Sequence, residues 1–124
     1  MLSSEIIGSA IEVHKTLGPG LLESVYEECL CHELALRGLD FERQKQLPVI
    51  YKDVRLDCGY KMDILVERRV ILELKACSDI EPIHKAQLLT YLRLAHLQLG
   101  LLLNFNVPTM KDGIVRMVDG CLDD

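Results

Sequence analysis

The sequence predicts an α/β fold, a mixed sheet of four to five strands flanked by helices, with its elements in the order ααβββαβ. Three observations carry the prediction. Two early segments repeat apolar residues at helical spacing, a middle stretch alternates apolar with polar residues, and a late helical segment joins two apolar runs. Strand, helix, strand in that last arrangement is the pattern of a right-handed parallel crossover.

The first helix is expected from Glu5 to about Leu17, with Ile7, Ala10, Ile11 and His14 or Lys15 at helical spacing behind Ser3 or Ser4 as a cap. Gly18-Pro19-Gly20 breaks it. A second helix runs from about Leu22 to Leu36, its apolar stripe formed by Leu22, Val25, Tyr26, Cys29, Leu30 and Leu34, and Gly38 stops it. Residues Leu47 to Tyr51 alternate as a strand, and Lys52-Asp53 turns into the next one. In that next strand Leu56, Cys58, Tyr60, Met62, Ile64 and Val66 share one face, leaving Asp57, Lys61 and Asp63 on the other. A further strand is expected over Val70 to Ala76. Ser78-Asp-Ile-Glu-Pro82 then opens a helix, with proline in its first turn, that continues to about His96. Leu99 to Asn104 is a continuous apolar run, as in a strand covered on both faces. Pro108 and Asp112-Gly113 frame a loop, and Ile114 to Val118 is expected to add a short edge strand.

The 124 residues are expected to form one domain over 1–124, large enough to bury a core without disulfides or structural metal. Met1-Leu-Ser-Ser-Glu5 lacks the basic start of a signal peptide, and no apolar run approaches membrane-spanning length. Five cysteines, Cys29, Cys31, Cys58, Cys77 and Cys121, include no Cys-x-x-Cys pair. That argues against a disulfide framework or zinc ribbon and for free thiols in a reducing cytoplasm. The net charge of −5 is uneven: residues 1–40 carry −5, residues 41–75 carry +2 and residues 76–124 carry −2. This is no strong basic footprint, so nucleic-acid binding would need a metal, a homodimer or a partner protein.

The chemistry concentrates in the positive segment. Asp63, Glu73 and Lys75 interrupt two apolar strands, and charges among buried leucines are either on a solvated face or gathered around an ion or substrate. If Glu67-Arg68-Arg69 is a three-residue hairpin loop, Val66 pairs with Val70 and Asp63 lies opposite Glu73. A two-residue loop would put the two acids on opposite faces. We take the odd-length loop, although it lacks the glycine such turns prefer. Glu73 and Lys75, two apart, share a face in either case.

These residues resemble a known family. Asp63 followed by Glu73-Leu74-Lys75 at the end of a hairpin is similar to the signature of the PD-(D/E)XK nuclease superfamily. Gln87-Leu-Leu-Thr-Tyr91 resembles the Gln-x-x-x-Tyr motif of its RecB-like branch, and Gly20-Leu-Leu-Glu-Ser-Val-Tyr26 resembles the motif of the bacterial GxxExxY proteins. Met62 stands before Asp63 where the signature has proline. The resemblance implies a restriction-endonuclease-like core and metal-dependent hydrolysis of nucleic acid, DNA before RNA. It implies Asp63, Glu73 and the Leu74 carbonyl as ligands of Mg²⁺ or Mn²⁺, with Glu23 as a further metal or water ligand. Lys75 would position the attacking water or stabilise charge on the phosphate, Gln87 would orient Lys75 or the phosphate, and Tyr91 would contact the substrate backbone.

Each motif also has a plain structural reading. With ten Glu and seven Lys, roughly half an occurrence of Glu-x-Lys arises by chance, so placement matters more than the tripeptide. Glu23 in a first helical turn is favoured by the helix dipole whatever the protein does. Gln87 and Tyr91, at i and i+4, can simply pair. His14, His32, His84 and His96 lack metal-ligand spacing. Two other function classes stay open on the sequence: a nuclease-fold module that binds or assembles without cutting, and a dimeric interaction protein.

Overall fold

The computed structural model describes residues 1–120. Its elements are α1 (Leu2–Leu17), α2 (Glu23–Leu36), β1 (Phe41–Gln46), β2 (Val49–Tyr51), β3 (Val54–Leu56), β4 (Lys61–Val66), β5 (Val70–Lys75), α3 (Pro82–Ala95), β6 (Leu99–Asn104), a 3-10 turn (Met110–Gly113) and β7 (Ile114–Val118). Five strands form one mixed sheet in the order β1-β4-β5-β6-β7. Among the described strands only β5 and β6 run parallel, joined by α3, so the expected parallel connection through a helix is present.

Position in the sheet follows from side-chain chemistry. Val70 to Leu74 and Leu99 to Asn104 are buried throughout, which is why the most apolar runs occupy the centre. Fully burying one such aliphatic side chain contributes about 1.5–3 kcal/mol. On one face, Ile64, Val66, Leu72, Leu74, Leu101 and Leu103 pack against Ile6, Ala10, Tyr26, Leu30 and Leu34 of α1 and α2. On the other, Leu65, Ile71 and Leu102 meet Leu88, Tyr91 and Leu92 of α3. Gly100 allows that second contact, since a Cβ there would stand 2.8 Å from Leu88 Cδ1.

Several boundaries differ from the sequence reading. Helix α1 begins at Leu2, so Ser3 is buried inside it rather than capping it. Strand β1 was not expected, because Phe41-Glu-Arg-Gln-Lys-Gln46 has almost no apolar alternation; it is an edge strand paired only with β4. The expected strand at Leu47–Tyr51 shrinks to β2 and pairs with β3 across Lys52-Asp53 in a separate two-stranded hairpin. The expected long strand through Leu56 and Val66 breaks between Leu56 and Lys61, around Gly59 at φ 81°. Its single apolar face fails as well: Met62 packs on the α3 side, Ile64 and Val66 on the α1/α2 side. Tyr51, Val54 and Leu56 leave the hairpin with an exposed apolar surface.

Cys29, Cys31, Cys58 and Cys77 are free thiols, and Cys121 lies outside the described residues. His14 is buried with Nε2 2.7 Å from the Val107 carbonyl, while His84 Nδ1 accepts the Glu81 amide N–H at the start of α3. Among the described residues, no helix is long and apolar enough to cross a membrane.

Candidate active site

The β4–β5 turn decides what can meet, because a one-residue slip would send Asp63 and Glu73 to opposite faces. Glu67-Arg68-Arg69 is the three-residue loop: Val66 pairs with Val70, Leu65 with Ile71 and Ile64 with Leu72. In place of glycine, Glu67 and Arg68 themselves take the left-handed conformation, at φ 52° and 53°. The next facing pair is Asp63 and Glu73, and there side chains take over from the ladder. The Asp63 amide N–H donates to Glu73 Oε2 at 2.8 Å, and the Leu74 amide N–H donates to Asp63 Oδ2 at 2.9 Å.

Burial and repulsion set the protonation of this pair. Glu73 is 6% exposed, and burial followed by the Asp63 charge pushes its carboxyl up to about 8, against the pull of the Asp63 amide and Lys75. Asp63 is half-buried and its carboxyl is also raised, chiefly by burial, with the Leu74 amide and Lys75 opposing. At the start of α2, the Glu23 carboxyl is exposed yet raised, first by desolvation and then by Asp63, while Lys75 lowers it. Glu23, Asp63, Glu73 and Lys75 therefore share one electrostatic neighbourhood.

Glu23 owes its place to Tyr26. The Tyr26 ring stacks on Phe105 at 4.6 Å, its hydroxyl donates to the Gly18 carbonyl at 2.6 Å, and it accepts the Leu21 amide N–H at 3.1 Å. That pins the Gly18–Leu21 turn immediately before the helix that carries Glu23. On α3, Gln87 Nε2 donates to the Tyr91 hydroxyl at 3.0 Å, so the described contact of Gln87 is with Tyr91 rather than with Lys75. Tyr91 is buried, lies edge-on to Tyr60 with ring centroids 6.0 Å apart, and its hydroxyl pKa is raised by burial and then by Glu73.

Two residues that the sequence reading passed over belong to the same neighbourhood. Glu27 raises the carboxyls of both Glu23 and Asp63. Its spacing of four from Glu23 on one helix face was the available signal. Gln44 donates from Nε2 to Glu27 Oε1 at 2.8 Å. No signal pointed to it, because its strand was not recognisable. A cavity of about 480 Å³ lined by Asp40, Phe41, Glu42, Leu65, Glu67 and Arg68 opens at the other end of β1 and β4, away from these groups.

Among the described residues, no three His, Cys, Asp or Glu side chains stand as a preformed metal cage. What the fold supplies is a facing pair of hard oxygen donors whose carboxyl pKa values are raised chiefly by burial, with repulsion from Asp63 adding at Glu73 and repulsion from Glu27 adding at Asp63. A divalent cation would relieve that repulsion, and the donor chemistry suits Mg²⁺ or Mn²⁺.

A family model described as the PD-(D/E)XK nuclease superfamily matches residues 1–117. The chain belongs to this superfamily. As in a PD-(D/E)XK protein, its fold is α/β and restriction-endonuclease-like, with a mixed five-stranded sheet between helices. The superfamily consists in general of nucleases that hydrolyse nucleic acid, typically with divalent metal ions. No curated protein and no solved structure matches the chain.

Proposed function

We propose that this PD-(D/E)XK protein hydrolyses phosphodiester bonds with Mg²⁺ or Mn²⁺, taking DNA in preference to RNA. We further assign it to the GxxExxY kind, near the RecB-like branch, on Gly20, Glu23, Tyr26, Gln87 and Tyr91. The observation supporting the reading most strongly is the meeting of Asp63 and Glu73 across β4 and β5, with Lys75 two residues further along the strand.

When bound, a divalent cation neutralises charge on the scissile phosphate and makes a water nucleophilic at neutral pH. Asp63 and Glu73 are the side chains that would hold it, with the Leu74 carbonyl and, from the start of α2, Glu23 as further ligands. The Lys75 ammonium orients the attacking water and stabilises charge gathering on the phosphate oxygens. Tyr91 presents its hydroxyl to the substrate backbone, and Gln87 fixes the direction of that hydroxyl through their 3.0 Å hydrogen bond. A second reading, a nuclease-fold module that binds without cutting, is favoured by the net charge of −5, which opposes a polyanionic substrate.

Cleavage of single- and double-stranded DNA and of RNA, with Mg²⁺, Mn²⁺ or chelator, separates the readings. Metal-dependent cleavage lost in Asp63→Ala and Lys75→Ala is expected. Cleavage that survives both substitutions would come from a contaminant, and binding without cleavage would select the second reading.

A further inference from the structure

Among the described residues, six non-glycine residues have positive φ. Lys52 and Asp53 turn the β2–β3 hairpin, Glu67 and Arg68 turn β4 into β5, and His96 caps α3. Gln44, at φ 49°, lies inside a strand. The β1–β4 ladder pairs Arg43 with Ile64 and Lys45 with Met62, but skips the facing residues Gln44 and Asp63 between them. Register is the same on both sides of the gap, so this is a local twist and no residue is inserted. The switch of packing side between Met62 and Ile64 falls at the same point.

A left-handed residue in a strand is strained and persists where its surroundings demand it. Glycine would adopt that backbone freely. The position carries a glutamine instead, whose carboxamide is held: Nε2 donates to Glu27 Oε1 at 2.8 Å, and Glu27 Oε2 accepts from Arg43 Nη2 at 2.9 Å. The same carboxamide favours the charged form of Asp63, which Glu27 opposes.

We propose that Gln44 is a positioning residue for the divalent-cation site: its amide, anchored on Glu27 by the twisted backbone of β1, fixes the orientation of the facing Asp63 carboxylate. The inference rests on the metal-site reading of Asp63 and Glu73. Groups that orient a ligand typically change metal affinity about 10–100-fold when removed. An amide across from Asp63 performs that task without adding a further negative charge to Glu23, Glu27, Asp63 and Glu73.

Two variants test it on the whole chain by thermal melting in chelator and by Mn²⁺ titration. Gln44→Gly keeps the backbone and deletes the amide. It is expected to match or exceed the wild-type melting temperature while binding Mn²⁺ about tenfold more weakly. Gln44→Asn retains an amide on a residue that tolerates the left-handed region, and should recover part of the affinity. Equal Mn²⁺ affinity in wild type and Gln44→Gly overturns the inference and leaves the metal-site reading standing. A joint loss of stability and affinity in Gln44→Gly also overturns it, by making Gln44 a structural residue. Absence of Mn²⁺ uptake by the wild-type protein overturns the metal-site reading and the inference together.

Discussion

Asp63 and Glu73 bind one another's strands: the Glu73 carboxylate accepts the Asp63 amide at 2.8 Å, and the Asp63 carboxylate accepts the Leu74 amide at 2.9 Å. Two acids that would repel each other are thus held face to face by backbone donors. The sheet supplies the rigidity, through the buried strand β5 and its parallel neighbour β6.

The first consequence is a stability that depends on pH. Glu73 titrates at about 8 in the folded protein, against an ordinary value of 4.5, so between these values the native state keeps a proton that the unfolded chain has released. Stability is therefore expected to fall as pH rises through that window and to level off above it. Melting temperatures of the metal-free protein should show the fall, and Glu73→Gln should lessen it, leaving the smaller contribution of the raised Asp63 and Glu23 carboxyls. A melting temperature that climbs with pH over the same range would refute the raised carboxyl.

Metal and proton compete for the same carboxylates. Addition of Mn²⁺ should raise the melting temperature more at about pH 8 than at about pH 6, because the cation must displace the Glu73 proton at the lower pH. Equal shifts at both values would detach metal binding from Glu73.

Tyr26→Phe keeps the ring on Phe105 and removes the hydroxyl that joins Gly18 to Leu21. Loss of these hydrogen bonds should cost about 1–3 kcal/mol, measured by denaturant unfolding. Because the turn also places Glu23, cleavage per folded molecule should fall with it. An unchanged rate would reduce Tyr26 to a stabilising residue.

Tyr91→Phe preserves the packing against Tyr60 and leaves Gln87 without its partner. Stability should change by less than about 1.5 kcal/mol. If the hydroxyl meets the substrate backbone, KM for DNA should rise severalfold with kcat little altered. A fall in kcat alone would move Tyr91 from substrate contact to the chemical step.

How far the sequence could be read depended on where burial writes a pattern. The centre of the sheet was legible: β5, β6 and the helix between them follow from apolar runs and a proline, and the odd-length turn at Glu67–Arg69 put Asp63 opposite Glu73. The edge was not. Strand β1 is nearly all polar because solvent covers it, so it repeats no buried period; the β2–β3 turn at Lys52-Asp53 was readable, but not that this hairpin stands apart from the main sheet. Gln44 fell in that blind region. Its relation to Asp63 exists only once β1 is paired with β4, and its backbone conformation contradicts local preference. Glu27 was accessible in principle, one helical turn from Glu23, but reads alone as a solvated helix charge.

The account is tested most directly by Mn²⁺ uptake, measured by titration calorimetry at about pH 8, where roughly half of Glu73 has already lost its proton. Wild-type protein should bind Mn²⁺, and folded Asp63→Ala should bind it at least tenfold more weakly. Uptake that is absent from the wild type, or indifferent to the loss of Asp63, would contradict the assignment of the Asp63–Glu73 pair as a divalent-cation site.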